Sequence, residues 1–152
     1  MVDIQVRGAD KLHVLARVLR EASDKELQRE LYRGLNRSVK PLRQDVKDAI
    51  PDFLPGRYAV ELSRDLSIRT RRRSGSANPA IYLVGSAKTR DIASLNRGRL
   101  RHPLFGNRKR WYDQRIKPGF WTDTLERGAP RVRRELVIVL NDVARKIARK
   151  VG

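Results

Sequence analysis

Leu66-Ser67-Ile68-Arg69-Thr70-Arg71 alternates apolar and polar side chains, and Ala80-Ile81-Tyr82-Leu83-Val84-Gly85 follows it after Ser, Gly, Asn and Pro residues at 74–79. Successive side chains of a strand point to opposite faces, so this period of two predicts strands. The turn-forming residues between them predict that the two strands pair as a hairpin. Arg71, Arg72 and Arg73 stand towards its tip. Cations there keep strand edges from pairing with other molecules. They equally suit contact with DNA phosphates or an acidic surface, and the sequence leaves both roles open.

Helical periods surround this hairpin. Asp3 to Gly8 reads as a short edge strand, and from Asp10 the residues Leu12, Leu15, Ala16 and Leu19 recur at the spacing of a short amphipathic helix. Ser23 and Glu26 have capping-box spacing, and Leu27, Leu31, Leu35, Leu42, Val46 and Ile50 then mark one face of a long helix. Pro41 removes a backbone donor inside that pattern, which predicts a kink or break near 37–41, and Pro51 predicts the end. Residues 58–67 fit a helical turn leading into the first hairpin strand. Towards the C-terminus, Val132, Leu136, Val139, Leu140, Val143 and Ile147 form a second long stripe. Pro130 either opens that helix or kinks one begun near Trp121. The expected fold is α+β: a small antiparallel or mixed sheet packed with an N-terminal helical pair and a long C-terminal helix. Residues 86–118 show no sustained period and read as an extended basic loop or arm.

The 152 residues suit one domain spanning 1–152. Lys plus Arg number 35 against 17 Asp plus Glu, a formal charge of +18 that points to polyanions or acidic protein surfaces. Residues 1–66 hold 13 basic and 11 acidic side chains, a net of +2, whereas residues 67–152 hold 22 and 6, a net of +16. A hydrophobic content of 39% is too high for a wholly disordered basic tail. The absence of cysteine excludes disulfides, thiolate nucleophiles and Cys-based metal sites. No apolar run approaches the ~20 residues that span a bilayer. Asp3 also stands where a secretory signal has its basic start, so a soluble, unprocessed protein without membrane contact is expected.

Catalytic patterns are sparse. His13 and His102 are the two histidines; neither a metal-binding cluster nor a Ser/His/Asp set falls at a recognisable spacing, and no Gly-rich phosphate loop is present. No enzymatic role, metal or cofactor is expected. What stands out is the run from Arg97 through Arg99, Arg101, His102, Phe105, Arg108, Lys109, Arg110, Trp111 and Tyr112, where guanidinium groups alternate with aromatic and apolar side chains. Exposed aromatics beside Arg mark interfaces with protein and with nucleic acid alike. Phe120 and Trp121, leading into the last helix, are candidates for the same partner or subunit interface. A solvated loop whose aromatics fold back onto the core is the simpler alternative.

The order of these features resembles the tail-completion, or head-to-tail joining, family of tailed-phage minor tail proteins. The features are the N-terminal strand ending at Gly8, two helices, the Pro51 to Gly56 stop, the two hairpin strands, the His102-Pro103-Leu104-Phe105-Gly106 segment, and Pro118-Gly119-Phe120 before a last helix. The sequence departs from the family pattern by inserting Arg108 to Lys117, with Trp111 and Gln114, and by placing Gly119 between Pro118 and Phe120. The resemblance implies a structural virion protein forming a ring of about six copies at the head-proximal end of the tail. Its partners would be other copies of itself, the head connector, and tail-terminator or tail-tube proteins. Assembly would take place in the host cytoplasm, with non-specific contact to genome DNA. A tail terminator at the same junction and a basic nucleic-acid-binding accessory protein are the alternatives. A nuclease or hydrolase would require metal-assisted activity that is lost on substituting a carboxylate.

Overall fold

The computed structural model describes residues 4–5, 25–73 and 80–151. In chain order these form β1 (Ile4–Gln5), α1 (Lys25–Phe53), α2 (Gly56–Asp65), β2 (Ser67–Arg73), β3 (Ala80–Ser86), α3 (Ile92–Asn96), β4 (Arg99–Leu104), β5 (Asn107–Arg115) and α4 (Thr122–Val151). The architecture is α+β, with one antiparallel sheet ordered β1-β3-β2 and a second made of β4 and β5. The expected short helix from Asp10 and the turn at 74–79 lie outside the described residues.

β2 and β3 pair in unbroken register from Ser67↔Ser86 to Arg73↔Ala80, so the hairpin read from the period-two stretch is present and two residues longer at its first strand's end. β1 completes the sheet on the far side of β3, with Ile4 opposite Leu83. Alternation puts Ile68 and Leu83 on the buried face.

α1 and α4 pack antiparallel along their length. Glu30 pairs with Lys146 and Asp45 with Arg131, the same fifteen-residue interval on both helices. Between these ion pairs run the apolar stripes that the sequence predicts. Leu27, Leu31 and Leu35 meet Val139, Leu140 and Val143 in one cluster; Leu42, Val46 and Ile50 join Val132 and the sheet residues in another. Both helices are longer than their prolines suggest. α1 runs unbroken through Pro41 and Pro51 to Phe53, and α4 starts at Thr122 and passes through Pro130. All three prolines sit on exposed positions. The carbonyl four residues before each proline, left without its N–H donor, therefore lies towards water, while buried Leu42, Ile50, Phe53 and Val132 hold the helices across them.

The sheet and α4 meet at Phe120 and Trp121, both with 0% exposure. A Cβ on Gly85 would come within 2.6 Å of the Trp121 ring, so only glycine lets the indole lie flat against the β3 backbone. Gly85→Ala is expected to cost about 1–3 kcal/mol through overpacking. Urea denaturation measures this, and a variant as stable as the parent would show that the ring has room to shift.

Candidate interface on the basic hairpin

Residues 86–118 are not the loop that their irregular hydrophobicity predicts; they build α3 and the β4–β5 hairpin. The reason lies in exposure. Of the nine residues of β5 only Gln114 is partly covered, so no buried face imposes an alternation on the sequence. Cross-strand pairing holds the strands instead, from Arg99↔Arg115 to Pro103↔Trp111.

The tip is a two-residue turn. Phe105 has φ 49° and Gly106 φ 77°, the two positive values that a type I′ turn requires. Leu104 then pairs with Asn107, leaving Arg108, Lys109 and Arg110 as a bulge with no residue opposite. Two hydrogen bonds shape it: the Trp111 indole N–H donates to the Arg108 carbonyl at 2.8 Å, and the Lys109 N–H donates to Asn107 Oδ1 at 3.0 Å. The Phe105 side chain is 98% exposed, and Trp111 and Tyr112 are about half exposed at 50% and 55%.

The two faces of the ribbon differ. On one, the Arg101 guanidinium lies 5.7 Å from the centre of the Trp111 ring and Arg99 is 3.7 Å from the Asp113 carboxylate. An open cleft of about 360 Å³ separates this face from α3, lined by Arg90, Asp91, Arg99, Arg101, Trp111 and Asp113 among others. On the other face Leu100 is fully buried at the base, and the His102 ring sits between Tyr58 and Tyr112, with ring centres 5.3 and 5.8 Å away. His102 Nδ1 lies 3.2 Å from the Pro103 carbonyl oxygen.

Three residues that the sequence reading passed over clamp the base. The Arg90 guanidinium donates to the Arg101 carbonyl at 2.5 Å and to Glu61 at 3.3 Å, and stacks 5.1 Å from the Tyr58 ring centre. It thereby ties β4 to α2. Asn96 Oδ1 accepts from the N–H groups of Trp121 and Thr122 at 3.0 and 3.1 Å, capping α4 from outside the helix. Asp91 caps α3, accepting from the Ala93 N–H at 3.0 Å and the Ser94 hydroxyl at 2.8 Å. The Ser94 hydroxyl bond holds the Asp91 carboxyl below its ordinary range. Partial burial opposes this, and the Ala93 and Ser94 N–H groups and the Arg97 charge reinforce it. Asx spacing signals Asp91 in the sequence, but Arg90 and Asn96 act on residues distant along the chain and carry no local pattern.

The hairpin brings together Arg99, Arg101, His102, Phe105, Arg108, Lys109, Arg110, Trp111 and Tyr112, with Arg97 exposed just before its base. Phe120 and Trp121 do not belong to this surface. The expectation that they meet a partner is corrected: both are fully buried in this chain's own core, packed edge to face with ring centres 6.5 Å apart. Arg71 is exposed near the end of β2; the side chains of Arg72 and Arg73 lie outside the described residues. Among the described residues no helix is long and apolar enough to cross a membrane. Comparison with protein-family models, with curated proteins and with solved structures gave no match.

Two substitutions separate folding from exposure. Phe105→Asn replaces a residue that tolerates positive φ poorly with one that favours it, and is expected to raise stability by about 1 kcal/mol in thermal unfolding. A loss of stability would mean that Phe105 serves the fold. Asp91→Ala removes a cap and is expected to cost about 0.5–1 kcal/mol at neutral pH. Because the folded carboxyl is held low, its contribution is present above the unfolded value near 4 and fades as pH falls through the folded one. The gap between Asp91→Ala and parent should therefore close in acid, and a gap unchanged with pH would remove the charge from the cap.

Proposed function

We propose that this chain is a non-enzymatic assembly protein of a long-tailed phage, a subunit of a ring of about six copies at the head-proximal end of the tail. In this reading the β4–β5 hairpin is the arm that docks on an adjacent subunit, the head connector or a tail protein. The observation that carries it is Phe105. A two-residue I′ turn is best built from Asn-Gly, yet the first position holds a phenylalanine at φ 49° with 98% of its surface in water. That choice strains the backbone and exposes a large apolar group, so its benefit lies outside the chain. The arm is also firmly set at its base by Arg90 and Asn96, which lowers the entropy lost when the tip engages a partner. Bulge cations around an aromatic anchor match the composition of protein interfaces, where Arg and aromatics dominate the binding energy.

Native mass spectrometry at moderate salt tests the proposal, alone and with purified tail tubes. A particle of about six subunits, or a monomer that assembles on the tubes, is expected. Phe105→Asn should fold and yet weaken assembly at least about tenfold, as loss of an anchor costing more than ~1.4 kcal/mol does. A monomer indifferent to tail tubes, or full assembly by Phe105→Asn, would overturn it.

A further inference from the structure

The first 66 residues are nearly balanced in charge, with 13 cations against 11 carboxylates, but α1 spreads its own share unevenly around its circumference. Glu30 and Asp45 turn towards α4 and are neutralised by Lys146 and Arg131. Asp48 accepts from Gln44 at 2.7 Å. The side of the helix turned away from its buried apolar stripe carries Arg29, Arg33, Arg37, Lys40 and Lys47, separated by four, four, three and seven residues and so stacked along one ridge. The first four are exposed and Lys47 is half-buried. Among the described residues, none of the five has a carboxylate within ion-pair distance. The ridge spans about 27 Å at 1.5 Å per residue. A groove on the α1 surface beside it is lined by Arg29, Arg33 and Arg37 together with Glu26, Glu30 and Gly34.

We infer that this α1 ridge is a second functional surface, distinct from the hairpin, and that it binds the phosphate backbone of duplex DNA without reading sequence. A row of guanidinium and ammonium groups that meets no carboxylate at ion-pair distance among the described residues, with no aromatic or apolar side chain in the row, is suited to phosphates and poorly suited to a protein hot spot, which needs an apolar anchor. Four of the five groups stand on consecutive turns, so several phosphates are met at once and their counterions are released together. The inference stands independently of the assembly role.

The test is fluorescence anisotropy of a fluorescein-labelled duplex of about 30 base pairs with the full chain between ~50 and ~200 mM salt. The combined variant Arg29→Gln, Arg33→Gln, Arg37→Gln, Lys40→Gln, Lys47→Gln keeps helix propensity and leaves the buried stripe unchanged, and its circular dichroism should match the parent. It is expected to reduce the slope of log affinity against log salt by about four. The control Arg108→Gln, Lys109→Gln, Arg110→Gln is expected to change the slope by less than about one. Equal slopes for parent and ridge variant, a loss confined to the bulge variant, or polyglutamate displacing the duplex at equal charge would each overturn the inference, the last in favour of an acidic protein. Native mass read on the parent chain with and without the duplex separates the two proposals: a ring that forms without binding DNA sinks this one alone.

Discussion

The contact of Trp121 with the bare backbone of Gly85 is the constraint on which the remaining geometry rests. It sets the distance between β3 and the start of α4, and Asn96 holds that start by its two leading N–H groups. Because α3 ends at Asn96 and β4 begins at Arg99, the same bonds place the root of the hairpin. From α4 the order passes to α1 through the apolar stripes, and the two ion pairs at equal intervals match the axial register those stripes set. A few buried atoms around Trp121 thus coordinate sheet, helices and arm.

The arm itself has almost no core. Leu100 is buried at its base, and beyond it the ribbon relies on hydrogen-bonded strand pairs, the Arg101–Trp111 stack and the Tyr58–His102–Tyr112 series. Two-stranded ribbons are marginal in water by themselves. Arg90 counters this by fastening the β4 backbone to α2, so the stiffness needed at the tip is supplied by the body. Surface ion pairs such as Arg99–Asp113 add little to that stiffness, since solvent screens them.

What could be read from the residues follows burial closely. The stripes on α1 and α4 and the alternation in β2 and β3 each face a core, and each was legible because burial imposes a period. β5 faces water on nearly every side and left no such trace. Phe120 and Trp121 show the converse error. An aromatic pair beside glycine looks the same in sequence whether it meets a partner or the chain's own sheet, and only the space above Gly85 decides between them. The α1 ridge escaped notice for a different reason: summing charge over a segment hides its distribution around a helix, which is decided by which carboxylates face α4. For the hairpin, residue composition identified the surface, and the backbone conformation of Phe105 singled out the residue within it.

The slip in register between Pro103 and Leu104 also bears on how such a tip can change. Strand pairing resumes across the bulge with Leu104 opposite Asn107, so Arg108, Lys109 and Arg110 occupy a cassette that lies outside the ladder. Shortening or lengthening that cassette leaves every pair below it on its original face, whereas a single residue gained or lost inside the ladder would turn one strand over. The charge carried at the end of the arm is therefore free to vary in amount and length while the base, the fold and the aim of the arm stay as they are.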